Sequence, residues 1–70
     1  MDRRAVQSTN VTSVGYDEQS QTLEVEFAKG TIYQYFGVPQ HVYDEFMASA
    51  SKGAFLNTYL KNAYPFSRVG

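Results

Sequence analysis

The sequence predicts an α+β domain: a three-stranded antiparallel β-meander followed by two α-helices packed on one face of it. Three observations carry that prediction. Residues 22–28 alternate, with Leu23, Val25 and Phe27 on one side and Thr22, Glu24 and Glu26 on the other, as in a half-buried strand. Beyond Pro39 the apolar residues switch to helical spacing, in Val42 with Phe46, Tyr43 with Met47 and Ala50, and then Phe55, Leu56, Tyr59 and Leu60. All strand signals precede all helix signals, so the two kinds of element segregate.

Residues 1–8 are polar and predicted to form a flexible terminus, leaving residues 9–69 as one domain. Val11, Val14 and Tyr16 are β-formers in a first strand interrupted by Gly15. Val11 and Val14 do not share a period of two, so either Val11 precedes the strand or Gly15 marks a bulge. Asp17–Gln21 is a polar turn into the second strand.

The next turn decides where the tyrosines of the third strand point. A two-residue turn over Lys29-Gly30 requires positive φ at Lys29, which a side chain disfavours. A three-residue loop over Ala28-Lys29-Gly30 requires it only at Gly30, and this loop is predicted. Phe27 then faces Thr31, Val25 faces Tyr33 and Leu23 faces Tyr35. Both tyrosines join the apolar face, while Ile32 and Gln34 join Glu24 and Glu26 outside. A slip of one residue reverses every one of these assignments.

Val38-Pro39 starts the first helix, because proline is tolerated in a first turn and pushes its predecessor into an extended conformation. That helix is predicted to reach Ala48–Ala50. The second begins at the N-cap Ser51, or at Gly53 if the first continues further. Asn62 and Pro65 mark its end, and Tyr64-Pro65-Phe66 is expected to fold back onto the body.

Seventy residues form a core near the lower limit for independent folding. With no cysteine, disulfides and thiolate metal sites are excluded, and one histidine makes a protein-only zinc site improbable, so no metal or cofactor is expected. Five Phe and six Tyr supply the packing instead; a homodimer is the other route to stability. No apolar run approaches the about 18 residues of a membrane span, and the arginines near the start lead into no apolar signal, so a soluble cytoplasmic protein without membrane contact is expected. The net charge of −1 is unevenly spread: residues 1–45 hold all seven acids and three bases, whereas residues 46–70 hold Lys52, Lys61 and Arg68 and no acid.

Catalysis finds little support. His41 with Asp44 lacks a nucleophile and an oxyanion site, no GxSxG or phosphate loop is present, and Glu24 and Glu26 read as an ordinary wet strand face. A non-enzymatic binding module is predicted. Ser51-Lys52-Gly53 opens a helix whose free amides and dipole favour an anion, and Asn57 and Lys61 continue the same polar stripe. Of Tyr33, Tyr35, Tyr43, Tyr59 and Tyr64, several are expected to bring their hydroxyls to a sheet–helix rim, where a base could stack or a partner's side chain could pack.

Together, Gly15-Tyr16-Asp17, Leu23-x-Val25-x-Phe27, Gly30, Tyr33-x-Tyr35, Gly37-Val38-Pro39, Ala50-Ser51-Lys52-Gly53, Phe55 with Asn57, and Tyr64-Pro65-Phe66 resemble the KTSC domain. That short bacterial module is also found at the C terminus of some lysyl-tRNA synthetases. The resemblance covers roughly residues 6–69, and the order and spacing of the motifs carry it. It implies Tyr33, Tyr35, Lys52, Gly53 and Asn57 as functional positions, and its company with a tRNA enzyme suggests RNA or other nucleic acid as ligand. The expectation is therefore nucleic-acid binding through Tyr33, Tyr35, Lys52, Gly53, Asn57, Lys61 and Arg68. The alternative is a protein-interaction module or homodimer, for which a three-stranded meander leaves unpaired edges.

Overall fold

The computed structural model describes all residues from Met1 to Gly70. Its elements in chain order are β1 (Arg4–Ala5), β2 (Val11–Asp17), β3 (Thr22–Phe27), β4 (Ile32–Tyr35), α1 (Gln40–Ala48), α2 (Lys52–Phe55) and β5 (Phe66–Arg68). Without a break, α2 continues as a π-helical stretch, Leu56–Leu60. The strands form one antiparallel sheet in the order β1-β2-β3-β4-β5. The α+β class stands, but the sheet has five strands, not three. The meander is its centre, and each of its edges is covered by a short strand from one end of the chain. Arg4 and Ala5, within the terminus expected to be flexible, form one of these edges.

The hairpin between β3 and β4 follows the turn chemistry. Gly30 has φ +94°, its N–H donates to the Phe27 carbonyl, and the Phe27 N–H donates to the Thr31 carbonyl, both at 2.8 Å. The register then pairs Leu23 with Tyr35 and Val25 with Tyr33, as the three-residue loop requires. The irregularity in β2 lies between Val11 and Ser13, not at Gly15. An extra residue there lets both Val11 and Val14 face the core, where each is 1% exposed. Gly15 has a different task. A Cβ on it would lie 2.6 Å from the Asp2 carbonyl oxygen, so its bare backbone lets the N-terminal segment cross.

One face of the sheet joins the helices around Val11, Val14, Leu23, Val25, Tyr35, Val38, Phe46, Leu56 and Leu60. Of the two starts the sequence allows for the second helix, Ser51 is the one used: it caps α2, its hydroxyl accepting from the Ala54 N–H at 3.2 Å. Tyr59, read as part of the buried stripe, is exposed. The Lys61 N–H reaches back five residues to the Leu56 carbonyl, which changes the angular spacing of this turn and turns Tyr59 outward while Leu56 and Leu60 stay buried.

The opposite face is not a plain wet face. Arg3 crosses it, donating from Nη1 to Glu24 Oε2 at 2.6 Å and from Nε to Ser13 Oγ at 3.0 Å. Gln34 also donates to Glu24, and Ser13 donates to Glu26. Glu24, expected outside, is 7% exposed beneath this strap.

Candidate functional site

The apolar sheet face is longer than the helices cover. Where it extends past them, a cleft of ≈ 600 Å³ opens between β3, β4 and β5 on one side and the helix from Gly53 to Lys61 on the other. Phe27, Tyr33, Tyr35 and Phe66 form its aromatic wall. Leu56, Asn57 and Lys61 face them from the helix, and Asn10, Lys29 and Thr31 come from the loops. No acidic residue lines it.

Each wall residue has a traceable origin. The hairpin register puts Tyr33 and Tyr35 on this side of β4, and β5 adds Phe66 opposite Tyr35. Phe66 lies nearly parallel to Tyr33, 12° apart with ring centroids at 5.6 Å, and tilted against Tyr35 at 5.9 Å. Phe27 meets Tyr33 edge to face at 5.6 Å. Tyr35 is 4% exposed and lines the cleft, and its hydroxyl makes no hydrogen bond within the protein. Burial, then the neighbouring Tyr33, pushes the Tyr35 pKa above its ordinary value, so this phenol keeps its proton and can donate.

Five of the seven residues predicted from sequence meet in this cleft: Tyr33, Tyr35, Gly53, Asn57 and Lys61. Arg68 does not line it, but its pairing with Tyr33 puts it on the same sheet face, just beyond the rim, and its Nε donates to the Gly70 carbonyl. Lys52 is elsewhere. It is 8% exposed, and Nζ donates to the Ser49 carbonyl at 2.7 Å, tying the end of α1 to the start of α2. The helix start is also less open to an anion than its sequence suggests, because Ser51 occupies one amide and the Asn10 side chain lies where a Cβ on Gly53 would go. His41 is exposed, and Asp44 accepts from Gln40 instead. Phe27, Phe66, Lys29 and Asn10 stand outside the predicted set. Phe27 is expected on the strand face that Tyr33 and Tyr35 join, and Tyr64-Pro65-Phe66 is expected to fold back onto the body, but nothing in the sequence points toward Lys29 or Asn10.

The KTSC domain family matches residues 7–64 of the chain. The chain belongs to the KTSC family. A crystal structure of a KTSC domain protein from Yersinia pestis superposes with a TM-score of 0.92 at 36% identity, covering 99% of this chain and 97% of that one. An uncharacterized protein of Stutzerimonas stutzeri is 41% identical over 61 residues, 87% of this chain and 86% of its own length. A lysine–tRNA ligase of Nostoc punctiforme is 32% identical over 59 residues, which are 84% of this KTSC chain but 10% of the ligase. No helix of this KTSC domain is long and apolar enough to cross a membrane.

Proposed function

We propose that this KTSC domain binds nucleic acid in the cleft, with the aromatic wall stacking bases and Lys29, Lys61 and the flanking Arg68 contacting phosphates. The observation that carries this reading is charge placement. A protein of net charge −1 lines its aromatic cleft with two lysines and no acid. Base stacking is sequence-tolerant, and phosphate contacts supply affinity from few cations, so a thin basic rim beside rings suits a nucleic acid. The relatives named lysine–tRNA ligases support RNA as one natural ligand. On this reading the domain is a cytoplasmic binding module, not an enzyme, and needs no metal or cofactor.

Titration of short labelled oligonucleotides over a series of salt concentrations tests it. Affinity falls with salt, and the double variant Lys29→Ala/Lys61→Ala lowers the slope of log K against log salt by about 2. Absence of binding at low salt, or an unchanged slope in the double variant, overturns the reading.

A protein-interaction role has one observation in its favour. On the other flank of the same helix, Val42, Phe55, Tyr59 and Tyr64 line a second, mostly apolar groove of ≈ 430 Å³, and Tyr59 is 59% exposed. Such a groove suits an apolar side chain of a partner or a second copy. The edge-pairing route to a homodimer is weakened, because β1 and β5 cover the meander and leave only short outer edges. Light scattering that finds a monomer at high micromolar concentration removes the homodimer.

A further inference from the structure

Resting on the nucleic-acid reading of the cleft, we infer that its ligand is a single strand that lays one unstacked base on the outer face of Phe66, and not a duplex. Phe66 is 54% exposed, while the other rings of the wall are buried or half-buried. Its inner face is spent on Tyr33, and Tyr35 supports it from the side. Phe27 in turn holds Tyr33 edge-on, so the wall is a braced stack whose last open face belongs to Phe66. The two tyrosines support the platform and are not the platform.

A duplex presents groove edges and phosphates and keeps its base faces inside its own stack. A base must leave that stack to offer a face to an aromatic ring. The cleft volume, ≈ 600 Å³, falls within the range of about 300–1,000 Å³ that holds a small ligand, which suits one nucleotide and is far too small for a double helix. Three uncharged hydrogen-bonding groups stand ready around that space. The Asn10 and Asn57 side chains are exposed, and neither their carboxamides nor the hydroxyl of the cleft-lining Tyr35 makes a hydrogen bond within the protein. Neutral donors and acceptors of this kind suit a base edge, whereas Lys29 and Lys61 suit the phosphates on either side of it.

The protein has no tryptophan, so Phe66→Trp introduces a single indole reporter at the platform. The variant is titrated with octanucleotides in RNA and DNA form, each as a single strand and as its blunt duplex. Single strands are expected to quench the indole and to bind more tightly than duplexes. Phe66→Leu keeps apolar contact with Tyr33 but removes the flat ring, and is expected to lose about tenfold to a hundredfold in single-strand affinity with an unchanged circular dichroism spectrum. If duplexes bind as tightly as single strands, or Phe66→Leu binds like the wild type while Lys29→Ala/Lys61→Ala is weakened, the single-strand inference falls and the nucleic-acid reading stands. If neither form binds at low salt, both fall.

Discussion

Replacing Arg3 by alanine tests whether the N-terminal segment is part of the fold. Arg3 donates to Glu24 at 2.6 Å and to Ser13 at 3.0 Å, and Glu24 is 7% exposed. Without Arg3 that carboxylate keeps Gln34 at 2.9 Å as its remaining side-chain partner. A hydrogen bond to a charged group contributes about 1.5–3 kcal/mol. The Arg3 side chain is itself 27% exposed, so solvent screens the pair and the expected loss is nearer about 1–2 kcal/mol. A domain of this length holds about 3.5–10 kcal/mol in all, so the loss is a large fraction of it. With a urea m-value of about 1 kcal/mol/M, the midpoint falls by about 1–2 M. The pH dependence gives a second readout. Burial acts to raise the pKa of Glu24, but hydrogen bonds from Gln34 and Arg3, with the charge of Arg3, outweigh it and hold the carboxyl below its ordinary value. The stability it confers is therefore present above the unfolded value of about 4.3 and is lost as pH falls through the folded value. In Arg3→Ala that acid-side loss should flatten, because the influences that lower the pKa shrink. Urea unfolding followed by far-UV circular dichroism at pH 7 and from pH 5 to 3 measures both effects. A midpoint within about 0.3 M of the wild type, or an acid limb parallel to it, refutes the reasoning. Nucleic-acid affinity should not change, since the strap and the cleft lie on opposite faces of the sheet.

Three further outcomes are expected. Lys52→Gln should lower Tm by about 4–8 °C through loss of the bond to the Ser49 carbonyl, while leaving the salt slope of nucleic-acid binding unchanged. Gly53→Ala should leave Tm steady or slightly raised, since alanine favours a helix by about 1 kcal/mol. Its Cβ, 2.8 Å from the Asn10 side-chain nitrogen, should push that carboxamide aside and weaken oligonucleotide binding in the same titration. Tyr16→Phe should cost about 1 kcal/mol in urea unfolding, because the phenol donates to the Val38 carbonyl at 2.6 Å. Burial, followed by Glu18, Asp44 and Asp17, raises the Tyr16 pKa, so its contribution is present below about pH 10 and lost as pH rises through the folded value. The alkaline limb of Tyr16→Phe should be correspondingly shallower.

What could be read in advance was whatever a few neighbouring residues decide. Gly30 settled the hairpin because only one residue of the loop needs positive φ, and of the two helix starts the sequence allows, Ser51 and Gly53, the structure uses Ser51, whose hydroxyl meets an amide three residues on. The misfit of Val11 and Val14 reads as Val11 preceding the strand or a bulge at Gly15, and neither holds: Val11 lies in β2 and the irregularity falls between Val11 and Ser13. The reason for Gly15 is a crossing segment from the chain start, which no local pattern encodes. Phe66–Arg68 has little strand character of its own next to Pro65. It is a strand because the outer edge of β4 offers unpaired N–H and C=O groups, and pairing satisfies them. Lys52 reads as an exposed cation at a helix start, and only the placement of the end of α1 above it buries it. The cleft was therefore half legible. Tyr33, Tyr35, Gly53, Asn57 and Lys61 on predicted elements were found; Phe27 was placed on the right face but not assigned to the site, and Phe66, Lys29 and Asn10, brought in by β5 and the loops, were not found.

The same hairpin explains how a slightly acidic chain presents an acid-free cleft. The sheet separates charge by face. Glu24 and Glu26 point to the Arg3 side, whereas Tyr33, Tyr35 and the paired Arg68 point to the cleft side. With a two-residue loop, the tyrosines of β4 would share their face with Glu24 and Glu26, and carboxylates would stand among the rings. A phosphate approaching such a wall would meet like charge, and Lys29 and Lys61 would be neutralised by neighbours before reaching a ligand. Gly30 therefore acts on the chemistry of the site without lining it. Its left-handed conformation sets the register, and the register decides which sign of charge surrounds the aromatic wall. The Arg3 strap completes the separation from the other side by engaging the glutamates, and Lys29 and Lys61 form no ion pair.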